Sequence, residues 1–110
     1  MAGKFECYKD KAGEFRFRLK AGNGETILSS EGYSSKSSCT NGIESVKKNC
    51  TDEACFEKKT TAGGKFRFNL KARNGQVIGT SQSYSSESGR DNGIGAVGRA
   101  AKGAAVVEVD

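Results

Sequence analysis

The chain has 110 residues, 35% hydrophobic and 28% charged, with a formal net charge of +5. That length is one domain, and the apolar residues are patterned rather than scattered, which excludes a disordered chain. Met1 to Lys4 leads at once into alternating polar residues, without a signal peptide or membrane span, so the expected location is the cytoplasm. The positive charge permits an anionic partner without requiring one.

In chain order, the first expected element is a strand around Phe5-Glu6, followed by a hairpin at Asp10 to Gly13 that would set Glu6 opposite Arg16 and, in the second repeat, Glu57 opposite Arg67. The stretch Phe15-Arg16-Phe17-Arg18-Leu19-Lys20 alternates strictly. It places Phe15, Phe17 and Leu19 on a core face and Arg16, Arg18 and Lys20 on the other. The next hairpin, "AGNGET", must preserve that parity. A two-residue Asn-Gly turn would mix the faces, whereas a three-residue loop, Gly22-Asn23-Gly24, pairs Leu19 with Ile27. A type I turn with a G1 bulge is therefore predicted, with Gly24 and Gly75 left-handed.

After the third strand come Tyr33-Ser34-Ser35, good helix-capping material. Cys39, Ile43, Val46 and Cys50 then follow at helical spacing, a narrow stripe suited to a helix lying across one sheet face. This places Asn41-Gly42 inside the helix, where Gly would serve a close approach of helix to sheet or of helix to helix, and Gly42→Leu should destabilise the fold. The competing reading makes Asn41 the N-cap, with Glu44 closing a capping box. Gly95 stands in place of that Glu in the second half, so the box is not shared.

The whole pattern is written twice. "FRFRLKAGNGETILSSEGYSSKSSCTNGIESV" from Phe15 and "FRFNLKARNGQVIGTSQSYSSESGRDNGIGAV" from Phe66 align at an offset of 51 without a gap, with roughly half the positions identical. Phe66, Phe68 and Leu70 repeat the core face; Arg67, Asn69 and Lys71 repeat the outer one. Ile94, Val97 and Ala101 repeat the helical stripe, with Arg90 in its first position. Phe5-Glu6 maps to Phe56-Glu57 and then to Val107-Glu108, so Ala104 to Val109 is a third copy of the opening strand, expected to be paired in the sheet. The chain thus reads βββα, βββα, β. It forms a single domain over residues 1–110, with repeats at about 4–53 and 54–103 and a closing strand at 104–109. The expected fold is α+β, one antiparallel seven-stranded sheet with two helices packed on one face and internal pseudo-twofold symmetry.

"YKDKAGEFRFRLKAGNGETI", the following "GYSS" and "NGIESVKKN" resemble the YegP-like family of small uncharacterised bacterial proteins, and the resemblance covers essentially the whole chain. Members resemble either a single repeat that dimerises or two repeats in tandem. The resemblance implies β(3)-α-β units building one sheet, with C-terminal strands exchanged between units. In this chain the segment around Phe56 must then both end the first unit and begin the second. The family carries no established activity, so the resemblance implies a fold and no mechanism.

Candidate sites are few. Cys7, Cys39, Cys50 and Cys55 miss zinc-ligand spacing, no His is present, and none of the four recurs in the second repeat, so they read as small buried hydrophobes. Arg16, Arg18, Lys20, Arg67 and Lys71 on the outer face form a candidate nucleic-acid contact, with Tyr8, Tyr33 or Tyr84 available for base stacking. Glu6, Glu57 and Glu108 are expected on that same face, where ordinary ion pairing would neutralise the stripe. Lys47-Lys48-Asn49 reads as favourable cations at a helix end. Tyr33, Ser34, Ser35, Tyr84, Ser85 and Ser86 form a candidate small-ligand site near the symmetry axis, set against capping plus a packed ring. No His, nucleophile elbow, P-loop or core-facing carboxylate pair exists, so no catalytic residue, metal ligand or cofactor is nominated. The expected function is a non-enzymatic interaction module for an unidentified protein partner, acting as a monomeric internal pseudo-dimer away from membranes. Nucleic-acid binding is the alternative, and small-ligand binding the third reading.

Overall fold

A computed structural model describes residues 3–109. Strands β1 (Lys4–Lys9), β2 (Phe15–Lys20) and β3 (Thr26–Ser30) precede helix α1 (Lys36–Asn49). A 3-10 turn at Glu53–Cys55 leads to β4 (Phe56–Thr60), β5 (Phe66–Lys71), β6 (Val77–Thr80), α2 (Glu87–Ala101) and β7 (Ala105–Glu108). The strands form one sheet in the order β4-β5-β6-β3-β2-β1-β7, with both helices over one face.

Alternation sorts the faces as expected. Phe17, Leu19, Phe68 and Leu70 are fully buried beneath the helices, while their cationic neighbours point outward. Gly24 and Gly75 have φ of +87° and +88°, and the Ala21 carbonyl accepts from the Gly24 amide at 2.9 Å, giving the three-residue loop that parity demands. Beyond the loop the register shifts once more. Leu19 faces Leu28 rather than Ile27, and Ile27 and Leu28 are both turned into the core at the bulge. The first hairpin also differs from expectation. The Asp10 amide donates to the Glu14 carbonyl at 2.8 Å, closing the loop over Lys11 to Gly13 and setting Lys9 opposite Phe15. Glu6 therefore faces Arg18, and Glu57 faces Asn69. The displacement is two residues, so the faces are kept.

Both helices begin at serine. Ser35 Oγ accepts from the Ser38 amide at 3.2 Å, and Ser86 Oγ from the Gly89 amide at 3.0 Å. Asn41-Gly42 and Asn92-Gly93 lie inside the helices, and Cys39, Ile43, Val46 and Cys50 are all buried. The close approach is of helix to sheet: a Cβ on Gly42 would lie 2.9 Å from Tyr33 Cζ and 3.0 Å from Phe17 Cε2. At Gly93 it would lie 2.7 Å from Tyr84 Cζ. Each tyrosine is held by an isolated bridge to the first residue of β2 or β5 and stacks on Phe17 or Phe68, with ring centroids 6.3 Å apart in both pairs. In the second repeat Arg90 takes the place of Cys39 and is buried, its guanidinium 5.6 Å from the Phe66 ring centroid.

The two repeats meet at a short seam. Ser29 pairs with Thr80, and these are equivalent positions at the 51-residue offset, so the pseudo-twofold axis passes between them. Each helix reaches across this seam: α1 packs on β2 and on β5 and β6, α2 on β5 and on β2 and β3. The closing strand departs from the antiparallel expectation. β7 lies parallel to β1, with Phe5 beside Val106 and Cys7 beside Glu108. β7 thereby runs opposite to β6, the strand that precedes α2, so α2 does not act as a parallel crossover between them. The pairing also moves Glu108 off the outer face. It shares the helix side with Cys7 and pairs with Lys36 at the start of α1.

Candidate functional site: an uncovered sheet edge

The outer sheet face carries the expected cations, and most are already paired. Glu6, only 5% exposed, takes Arg18 at 2.6 Å and Lys4 and Lys20 at 3.4 Å. Those cations, Arg18 foremost, hold its carboxyl down to about 2. Asp10 takes Arg16 at 2.6 Å and Glu57 takes Lys71 at 2.9 Å. Of the five nominated cations, Arg67 alone has no carboxylate partner among the described residues, and its Nε is buried without a hydrogen-bond partner. Of the three tyrosines considered for stacking, only Tyr8 is on this face, and the Arg18 guanidinium already sits 4.7 Å from its ring centroid.

The Tyr-Ser-Ser segments stay in separate repeats. Ser35 and Ser86 are occupied as caps, and Tyr33 and Tyr84 are half-buried over β2 and β5, two strands of the sheet with β3 and β6 between them. Burial raises both phenols above their ordinary range. The four cysteines are buried and unbridged. Cys7 Sγ lies 3.5 Å from Cys39 Sγ, and burial pushes the Cys39 thiol up to about 12, which leaves it a poor nucleophile. No group of three or more metal-ligating side chains occurs among the described residues. No helix there is long and apolar enough to cross a membrane.

Sequence reasoning passed over two features. Ser30 and its equivalent Ser81 are buried strand-end serines. Their Oγ atoms accept from the Phe17 and Phe68 amides at 2.8 and 2.9 Å and donate onward to the Glu31 and Gln82 carbonyls. Their repetition at the common offset was the available signal. The second feature is the edge of β4. A twofold sheet needs an even number of strands, and this one has seven. β7 covers the outer edge of β1; the equivalent place beside β4 is not filled by any described residue.

The vacancy changes the burial of equivalent side chains. Phe5 and Ile43 are fully buried, whereas Phe56 and Ile94, their counterparts, are only partly buried against the core. Phe56 keeps the same edge-to-face contact with Phe68 that Phe5 has with Phe17, at 5.6 and 5.8 Å, so the strand itself is not displaced. Between β4 and α2 lies a cavity of about 290 Å³ lined by Glu53, Phe56, Lys58, Asp91 and Ile94. It continues along α2 past Gly95 and Gly98 to Arg99 and Lys102. Open backbone, an apolar floor and a flanking helix are what strand addition uses.

The comparisons with known proteins agree with this architecture. A family model described as "Domain of unknown function (DUF1508)" matches residues 10–57 and again 62–108. A "UPF0339 protein in ptx operon 5'region" from Stutzerimonas stutzeri is 63% identical over 109 residues, 99% of this chain and 98% of that one. The UPF0339 protein YegP of Escherichia coli is 56% identical over 97 residues, 88% of each chain. The solution structure of yegP from E. coli, described as a protein of unknown function, superimposes with a TM-score of 0.93 at 51% identity, covering 98% of this chain and 93% of that one. A UPF0339 protein from Shewanella oneidensis matches with a TM-score of 0.92 at 49% identity, covering 98% and 92%. The chain is a two-repeat α+β protein of the DUF1508 class. It belongs to the UPF0339 family of YegP-like bacterial proteins, whose function is not established.

Proposed function

We propose that the chain is a non-enzymatic interaction module that receives an extended segment of a partner protein along the open edge of β4. The observation that carries this reading is the incomplete burial of Phe56 and Ile94 where Phe5 and Ile43 are fully covered. In the first repeat, where β7 lies beside β1 and Lys47 over Phe5, the pair is fully buried; beside β4 no strand is supplied by the described chain, and Gly98 stands in place of Lys47. Catalysis finds no support in the geometry, because the thiols are buried and the outer carboxylates are locked in ion pairs.

Nucleic-acid binding on the outer face is the second reading, favoured by Arg67, the cation without a carboxylate partner. Affinity capture from the native cell separates the two. Wild type, Ile94→Asp and Arg67→Glu are compared at low and high salt. Strand addition predicts a protein lost with Ile94→Asp and retained with Arg67→Glu. Retention of nucleic acid that falls steeply with salt and vanishes with Arg67→Glu would reverse the assignment.

A further inference from the structure

We infer that the occupant of the β4 edge is a foreign strand running parallel to β4, with a large apolar side chain beside Phe56 and an acidic residue two positions earlier. This rests on the interaction-module reading and specifies its ligand.

The direction comes from the internal symmetry. β7 runs parallel to β1 and places Val106 beside Phe5 on the helix side. The same operation that relates the repeats places a parallel strand beside β4, with its equivalent residue beside Phe56. The size of that residue follows from what differs between the repeats. In the first, Lys47 lies over Phe5, its Nζ 5.9 Å from the ring centroid, and Glu44 precedes it on the same helix. Gly98 and Gly95 occupy those positions in α2, so no side chain covers Phe56 from above and the cavity extends beside it. Valine suffices beside Phe5; a leucine, isoleucine, methionine or phenylalanine is needed to fill the wider space beside Phe56.

The acidic preference comes from the charges along the cavity. Lys58 is already matched by Asp91 at 3.4 Å. At the other end, toward residues entering ahead of the anchor, Arg99 and Lys102 have no carboxylate partner among the described residues; of the two carboxylates lining this part of the cavity, Asp91 is taken by Lys58 and Arg90, which leaves Glu53. Side chains on one face of a strand recur every second residue, so the acidic position is two before the anchor.

A second copy of the chain fits less well. Two β4 edges meeting across a twofold axis would bring Lys58 and Lys59 of both copies together. Pairing β7 of one copy with β4 of the next is a head-to-tail contact that would propagate into a ring or filament rather than a simple dimer.

The test is a ¹⁵N–¹H NMR titration of the full chain with the acetylated, amidated peptide Ala-Glu-Ala-Leu-Val-Ser-Val. The controls carry Asp for Leu or Lys for Glu. The expected result is amide shifts confined to residues 56–60 and 91–102, with at least tenfold weaker binding for the Asp peptide and for the Ile94→Asp protein. Arg99→Glu with Lys102→Glu should reverse the preference between the Glu and Lys peptides, a readout that does not depend on the stability of the Ile94 variant. Binding at β4 by peptides lacking the apolar anchor or indifferent to the acidic position would overturn the inference while leaving the interaction edge standing. Failure of every extended peptide to perturb β4 would remove both. Shifts at β1 and β7 instead, or concentration-dependent self-association through β4 without peptide, would also overturn it.

Discussion

Two side chains show how locally this fold is determined. At Gly42 the helix gives up about 1 kcal/mol of propensity, because a Cβ there would meet the Tyr33 ring at 2.5 Å from Oη. Crowding of that kind costs about 1–3 kcal/mol, so Gly42→Ala should lower stability by about 1–2 kcal/mol in urea unfolding despite the better helix former. In a Tyr33→Ala background the same substitution should become neutral or stabilising, and an unchanged penalty there would remove Tyr33 as the cause. Glu6 is the second case. Its carboxyl falls from an ordinary 4.5 to about 2 through Arg18, Lys20 and Lys4. A lowered native value contributes stability above pH 4.5 that is lost as the pH falls toward 2. Glu6→Gln should therefore cost on the order of 2 kcal/mol at pH 7, and its deficit against wild type should shrink toward zero near pH 2. A deficit independent of pH would mean that the ion pairs are not its source.

At the scale of elements, β7 is the piece whose role is most open to direct test. Its own side chains are poorly covered, with Val106 46% and Val107 39% exposed, yet it seals Phe5 and Cys7 on β1. Ending the chain after Gly103 should cost about 2–3 kcal/mol, the worth of re-exposing one large apolar side chain, and hydrogen exchange should quicken along β1 before β5. Unchanged protection of β1 would show that β7 contributes no cover. The sequence makes the six repeated strands legible because Phe15-Phe17-Leu19 and Phe66-Phe68-Leu70 alternate cleanly, and the helix starts legible because serine caps are local chemistry. Pairing register was less legible. Glu6 found Arg18 rather than Arg16 because the loop closes at Asp10 and Glu14, a backbone choice that alternation does not encode. Similarity to Glu6 predicts Glu108 on the outer face, whereas the parallel register with β1 seats Val106, not Val107, beside Phe5 and turns Glu108 to the helix side. The open edge was visible only as an oddity of counting: the strand motif occurs three times, and its copy at Phe56 has to serve two repeats at once.

For the molecule as a whole, tandem fusion stabilises a pair of repeats that neither could complete alone, since each helix packs across the seam and β7 crosses from the second repeat to the first. The same fusion breaks the symmetry. Joining α1 to β4 uses the first repeat's closing strand as the second repeat's opening strand, and no described residue fills the place beside β4. The outer face, by contrast, is largely ion-paired through Glu6, Asp10 and Glu57, with Arg67 left without a carboxylate partner among the described residues. The most direct test is photo-crosslinking in the native cell, with a benzoyl-phenylalanine placed at position 58 on the open edge or at position 67 on the outer face. The edge account predicts a discrete protein adduct from position 58 that disappears with Ile94→Asp, and none from position 67. Adducts from position 67 with none from position 58 would contradict it.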